Sequence, residues 1–70
     1  MIIAVDFDGV LSSAGKWPEV GEPNETLMNW LSDLRTGGHK VILWTCRVGE
    51  ALESAVAQCW EHGLEFDAVN

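Results

Sequence analysis

Seventy residues, a net charge of −7, 47% apolar content and four tryptophans make at most one domain. Such a chain can assemble a core, yet it buries only about 60% of the surface its unfolded form exposes. Lys16, Arg35, Lys40 and Arg47 are its only basic residues, so its field repels polyanions and no nucleic-acid partner is expected.

No stretch approaches the roughly 20 apolar residues of a membrane span, and the short N-terminal apolar run lacks the basic start of a signal peptide. Cys46 and Cys59 follow no paired metal-ligand spacing. These features give the expectation of a soluble, cytoplasmic protein with no membrane partner.

Met1 to Val5 is a continuous apolar run with β-branched residues, which suits a strand buried on both faces. From Gly9 to Pro23 the chain carries Gly15, Pro18, Gly21 and Pro23 among Ser and Trp, so residues 9–23 read as a loop or small hairpin. Asn24 then caps a helix with Glu25 in its first turn. Leu27, Leu31 and Leu34 form its apolar stripe, Trp30 widens it, and Gly37 and Gly38 end it.

Lys40 to Thr45 reads as a second strand with Val41, Ile42, Leu43 and Trp44 as its core. Gly49 to His62 reads as a second helix with Leu52, Val56 and Cys59 on one stripe, Ala51 and Ala55 for close packing, and Gly63 as a left-handed cap. Residues 66–70 suit a third short strand. The periodicities of Trp30, Trp44 and Trp60 suit core or interface.

Strand, helix, strand, helix, strand is the pattern of an α/β fold with a parallel sheet and right-handed crossovers. Ligands of open parallel sheets bind at the carboxyl ends of the strands. Asp6 and Asp8 follow strand one, and Thr45, Cys46 and Arg47 follow strand two, so the two groups are expected at one rim.

Two carboxylates one residue apart project in roughly the same direction while strand geometry persists. Neither has a basic neighbour in the sequence. One can bind a divalent cation or attack phosphorus, while the other, its proton affinity raised by the neighbouring charge, can donate and recover a proton. Gly9 lets the backbone turn away. The Thr45 hydroxyl and the amides after it can receive phosphate oxygens, with charge from Arg47. A field of this sign also repels a small phosphorylated substrate, so such chemistry needs a divalent cation to reverse the local charge.

DFDGV after an apolar strand, a Gly- and Pro-containing flap, and an apolar strand ending in Thr together resemble the haloacid dehalogenase superfamily of phosphohydrolases. The resemblance implies a Rossmann-like βαβαβ domain over residues 1–70, with a three-stranded parallel sheet, flanking helices and a flap at about 9–23. It implies a Mg2+-dependent phosphomonoesterase acting on a small phosphorylated substrate. Asp6 would be the nucleophile and a metal ligand, and Asp8 the general acid/base with its backbone carbonyl on the metal. Thr45, with Gly9, Cys46 and Arg47, would meet the phosphate, and Trp17 in the flap would help select substrate.

The family's third motif, a basic residue, and its fourth, an acidic pair, follow the third strand. The chain thus corresponds to the first half of such a domain, as a fragment or a minimal form, with Arg47 or Lys16 as stand-ins for the missing cation. Asp67 sits at the wrong end of the sheet to supply the missing acid. In the family the first strand pairs on both sides. Here one edge is open, so two copies are expected to associate through Met1 to Val5.

Plainer readings stand beside these. DFDG can be a strand ending in a turn, Thr45 a β-branched strand end and Cys46 an inert packed thiol, while Cys59, His39 and His62 read as structural. A calcium loop lacks oxygen ligands at Val10. The alternative function is a non-catalytic module that binds metal or phosphate weakly and assembles through its open edge.

Overall fold

The computed structural model describes residues 1–13 and 19–69; Lys16 and Trp17 lie outside the described residues. The element order is β1 (Ile2–Val5), α1 (Glu25–Thr36), β2 (Lys40–Leu43), α2 (Gly49–Glu61) and β3 (Ala68–Val69). The three strands form an all-parallel sheet in the order β1-β2-β3, with Ile3 opposite Val41, Val5 opposite Leu43 and Leu43 opposite Val69. The α/β class with a βαβαβ order is therefore as expected.

Local chemistry sets the element ends. The Asn24 side chain accepts the Leu27 N–H at 3.2 Å as the N-cap of α1, satisfying one of the amides that a helix start leaves unpaired. Past α2 the chain reverses at Gly63, whose φ of 82° favours glycine. Asp67 then staples the layers. Its Oδ2 accepts the Val41 N–H at 2.8 Å and the Arg35 Nε–H at 3.1 Å, so the residue entering β3 ties β2 to the last turn of α1.

Both helices pack on one face of the sheet. Met28 and Leu31 of α1 and Ala55 and Cys59 of α2 share a single core with Val5, Val41 and Leu43, joined by Phe7, Leu11 and Leu64. Two right-handed crossovers that step in the same direction along a sheet put their helices on the same side. The opposite face carries Ile2, Ala4, Ile42 and Ala68 in register, and Ile2 is 68% exposed. The expectation that β1 is buried on both faces is corrected: the strand alternates between the core and a bare surface.

Of the two places expected for the tryptophans, core or interface, the structure excludes the core. Trp30, Trp44 and Trp60 are 56, 67 and 63% exposed and belong to no core. Trp30 lies about 200° round α1 from Met28, which is fully buried. Trp44 follows the end of β2 on the uncovered side, and Trp60 rims an apolar groove with Val56, Leu64, Phe66 and Val69 between α2 and β3. Among the described residues no helix is long and apolar enough to cross a membrane.

This burial pattern predicts opposite outcomes for adjacent residues of β2. Leu43→Ala should cost about 2–5 kcal/mol in urea unfolding, through lost transfer energy and a cavity. Trp44→Ser should stay within about 0.5 kcal/mol of the parent, and a comparable loss at both positions would contradict the one-sided core.

Candidate functional site

The site begins where β1 stops. Phe7 is fully buried, so the chain dips into the core between two aspartates that stay at the surface. The Phe7 carbonyl accepts the N–H groups of Val10, Leu11 and Ser12 at 2.9 to 3.1 Å, closing a tight turn over Gly9, whose φ is 78°. Leu11 and Ser12 are buried beneath it. A side chain at Gly9 would meet the strain of a left-handed backbone.

The described parts of the stretch expected as a loop or small hairpin, residues 9–13 and 19–23, lie side by side. Ser12 bridges Pro23 in antiparallel fashion, the Ser13 N–H donates to the Glu22 carbonyl at 2.8 Å, and Asn24 N–H donates to the Leu11 carbonyl at 2.8 Å. Gly21 sits so close to Ser13 that a Cβ there would collide with the Ser13 carbonyl. The Gln58 side chain holds the Gly21 carbonyl at 2.9 Å, anchoring the base of the hairpin to α2.

On the neighbouring strand, the Trp44 N–H donates to the Val5 carbonyl at 2.9 Å, extending the β1–β2 pairing one step past the assigned ladder. This brings Thr45 and Arg47 to the aspartates, 39 residues away for the pair Asp8 and Arg47. Thr45 is buried, and its Oγ1 accepts the Arg47 N–H at 3.2 Å. Cys46 is exposed and carries a free thiol, while Cys59 lies in the core, where burial pushes its thiol up to about 11.

Arg47 organises the rim. Its Nε–H and Nη2–H donate to Asp8 Oδ2 at 2.8 Å and Oδ1 at 2.7 Å, a bidentate fork that is short and charge-assisted. Nη1 donates to the Ala51 carbonyl at 3.0 Å and Nη2 also to the Glu19 carbonyl at 3.2 Å. The guanidinium carbon lies 4.9 Å from the centroid of the Phe7 ring, within cation–π range. Arg47 is 1% exposed while the Asp8 side chain keeps 40% of its surface in solvent.

Two sequence expectations change here. Asp8 does have a basic neighbour, supplied by the fold instead of by adjacent residues. Its proton affinity is lowered, chiefly by the hydrogen bonds from Arg47, which outweigh the opposing effect of burial, with that residue's charge adding to the lowering. The predicted elevation from the second aspartate is overridden by a cation in direct contact. Arg47 correspondingly holds its proton more tightly, again chiefly through Asp8.

Asp6 is exposed. Its Oδ1 accepts the Phe7 N–H at 2.7 Å, which fixes the carboxylate at the strand mouth. Oδ2 accepts no hydrogen bond among the described residues. Asp6, Asp8, Gly9, Thr45 and Arg47 are thus brought to one rim, while Lys16 and Trp17 lie outside the described residues. The Glu19 and Ala51 carbonyls, which hold Arg47, were not expected as site atoms. Backbone acceptors leave no residue-type signal, although the spacing of Ala51 four residues after Arg47 fits a side chain folding back along the start of a helix. Phe7 was legible in principle, because alternation between two outward aspartates points it inward.

No protein-family model matches this chain, and no curated protein matches it. Among solved structures, a conserved protein coded by a locus of Bacteroides thetaiotaomicron is similar, with a TM-score of 0.90 at 41% identity. The match covers 100% of this chain and 57% of that one, so the chain spans little more than half the length of its structural relative.

The Asp8–Arg47 and Asp67–Arg35 pairs carry a pH signature. Both carboxyls are held below the ordinary value of 3.8 by their arginines. A depressed carboxyl contributes stability that is present above its unfolded pKa and lost as pH falls through its folded pKa. Chemical unfolding midpoints should therefore fall as pH drops below about 4. Arg47→Met should be less stable at neutral pH and show a shallower acid loss, because the Asp8 contribution is already absent. An acid slope identical in parent and variant would show that the fork adds nothing to stability.

Proposed function

We propose that this chain carries the nucleophile and the acid/base residue of a Mg2+-dependent phosphohydrolase of the haloacid dehalogenase type, acting on a small phosphorylated substrate. The observation that supports this reading most is the division of labour between two aspartates separated by one residue. Asp6 is exposed with one carboxylate oxygen unengaged, while Asp8 is clamped by a buried arginine.

The donor set suits a hard cation. Asp6 Oδ1, which keeps a second lone pair beside the one that accepts the Phe7 N–H, and the Asp8 backbone carbonyl, which accepts no hydrogen bond among the described residues, are both oxygen ligands, and Mg2+ commonly takes one or two carboxylates with substrate phosphate and water completing its shell. These two groups would hold the ion. When bound, it neutralises charge on the phosphoryl oxygens and on the carboxylates beside them.

In the first step Asp6 Oδ2 attacks phosphorus in line, forming an aspartyl-phosphate as the bond to the leaving oxygen breaks. Thr45 and the Cys46 amide that follows it would steady the phosphoryl oxygens, the Arg47 N–H being given to Thr45 Oγ1. In the second step water attacks the same phosphorus, Asp8 accepts its proton, and the Asp6–phosphorus linkage breaks to release phosphate. Asp8 as found is a carboxylate, ready for the second step. To donate a proton to a leaving alkoxide in the first, it must loosen from Arg47. Arg47 acts in this reading through Asp8, as a positioning residue.

The fork also favours a second reading, because both Asp8 oxygens are already occupied: a non-catalytic module whose rim binds metal or phosphate weakly, with the free edge of β1 serving assembly. Hydrolysis of a chromogenic aryl phosphate separates the two. Catalysis predicts Mg2+-dependent turnover that falls to the buffer rate in Asp6→Asn, with Arg47→Lys lowering kcat more than it raises KM because lysine cannot form the bidentate fork. Equal rates for parent and Asp6→Asn, with Mg2+ still perturbing the Asp6 and Asp8 resonances, would establish the binding module.

A further inference from the structure

The segment that precedes α1 is held along both of its edges. On one edge the Ser13 N–H donates to the Glu22 carbonyl and the Glu22 N–H donates to Ser13 Oγ, each at 2.8 Å. On the other edge the Glu19 and Gly21 carbonyls, spaced two residues apart as acceptors on one side of a strand are, are met from the side of α2. Arg47 Nη2 donates to Glu19 at 3.2 Å, and the Gln58 side-chain Nε2 donates to Gly21 at 2.9 Å. Ala51, whose carbonyl accepts from Arg47 Nη1 at 3.0 Å, stands about two turns before Gln58 on the same face of α2.

Gln58 is an expensive way to pack this position. Its Oε1 is buried and has no hydrogen-bond partner among the described residues, a desolvation penalty that an apolar side chain would avoid. Reversing the amide gives no relief, because Oε1 would then face the Gly21 carbonyl, acceptor against acceptor. The one thing a glutamine adds here is the donor given to Gly21.

That donor reaches the rim through two further contacts. Gly21 lies so close to Ser13 that a Cβ would collide with it, so Ser13 on one side and Gln58 on the other fix the segment, and Glu19 with it. The guanidinium of Arg47 is planar, and its bonds to the Ala51 and Glu19 carbonyls set the plane whose remaining edge, Nε and Nη2, meets Asp8. Arg47 is 1% exposed, and a buried cation follows its acceptors because losing one is costly.

We propose that Gln58 is a positioning residue for Asp8: by holding the Gly21 carbonyl it keeps the Glu19 carbonyl on Arg47, and Arg47 in turn sets the angle at which Asp8 is presented. Its catalytic consequence rests on the reading of Asp8 as the acid/base, whereas the positioning itself exists without substrate.

Gln58→Met keeps the length of the side chain and removes the donor. The chain has only two arginines, so the Arg47 Nε–H resonance can be followed separately, with that of Arg35, paired to Asp67, as an internal control. In labelled, substrate-free protein the variant should exchange the Arg47 Nε–H about tenfold faster while the Arg35 signal stays as in the parent. The Asp8 carboxyl should titrate closer to its ordinary 3.8. With a chromogenic aryl phosphate and Mg2+, kcat should fall at least about threefold while KM stays within about twofold. A cooperative unfolding transition checks that the variant is folded. If it is not, Ser13→Ala, at an exposed position, loosens the same segment by removing the Oγ that accepts from Glu22, and should speed the same exchange. Unmoved Arg47 and Asp8 signals in the folded variant overturn the role, even where Asp6→Asn abolishes turnover, and so does an unchanged kcat. Moved signals beside a turnover that Asp6→Asn leaves intact retain Gln58 as the residue that positions Asp8 and overturn the catalytic reading alone.

Discussion

The rim of this protein depends on one buried guanidinium. Arg47 is reached from β2, yet its donors go to Asp8 after β1, to the Ala51 carbonyl at the start of α2 and to the Glu19 carbonyl in the segment that precedes α1. One side chain thus fastens the start of α2 to two segments 39 and 28 residues earlier in the chain. Burying a cation is costly unless its hydrogen bonds are met. Here the carboxylate, two carbonyls and the Phe7 ring meet that demand together, so loss of any partner is felt by the others. The fold below makes the clamp possible: Phe7 dips into the core, and the pairing of Trp44 with Val5 carries β2 far enough for Arg47 to arrive opposite Asp8.

This arrangement gives two similar residues different chemistry. Asp6 is steadied only by the backbone N–H that follows it and keeps an oxygen available at the strand mouth. Asp8 is committed as a carboxylate whose orientation is set from behind. Positioned groups with unequal environments are how paired carboxylates divide roles in catalysis, and the inequality arises here from a single cation and not from depth of burial.

Much of the fold was legible because its signals are local. Asn24 announces a helix start, Gly63 a helix end, and alternating apolar runs and amphipathic stripes give the βαβαβ order. Two features were not. Continuous apolar strands state how a sheet is meant to be covered, but not whether this chain covers it, so β1 read as buried on both sides. Trp30 and Trp60 sit close enough in phase to their helices' apolar stripes to mimic core positions, and only three-dimensional packing assigns the depth to Met28 and Ala55 instead. At the site, the convergence of Asp6, Asp8, Thr45 and Arg47 followed from strand ends alone. The fork did not, since a contact across 39 residues leaves no mark in either local pattern, and it reverses the direction of the Asp8 shift.

Arg47 and Asp8 act as a unit, and a double-mutant cycle with Asp8→Ala, Arg47→Met and both together measures that coupling. A shared, partly exposed fork predicts a coupling free energy of about 1 kcal/mol or more in unfolding, with the second substitution costing little once the first is made. Strictly additive losses, with coupling within about 0.3 kcal/mol of zero, would contradict the account and leave the two residues as neighbours without a common role.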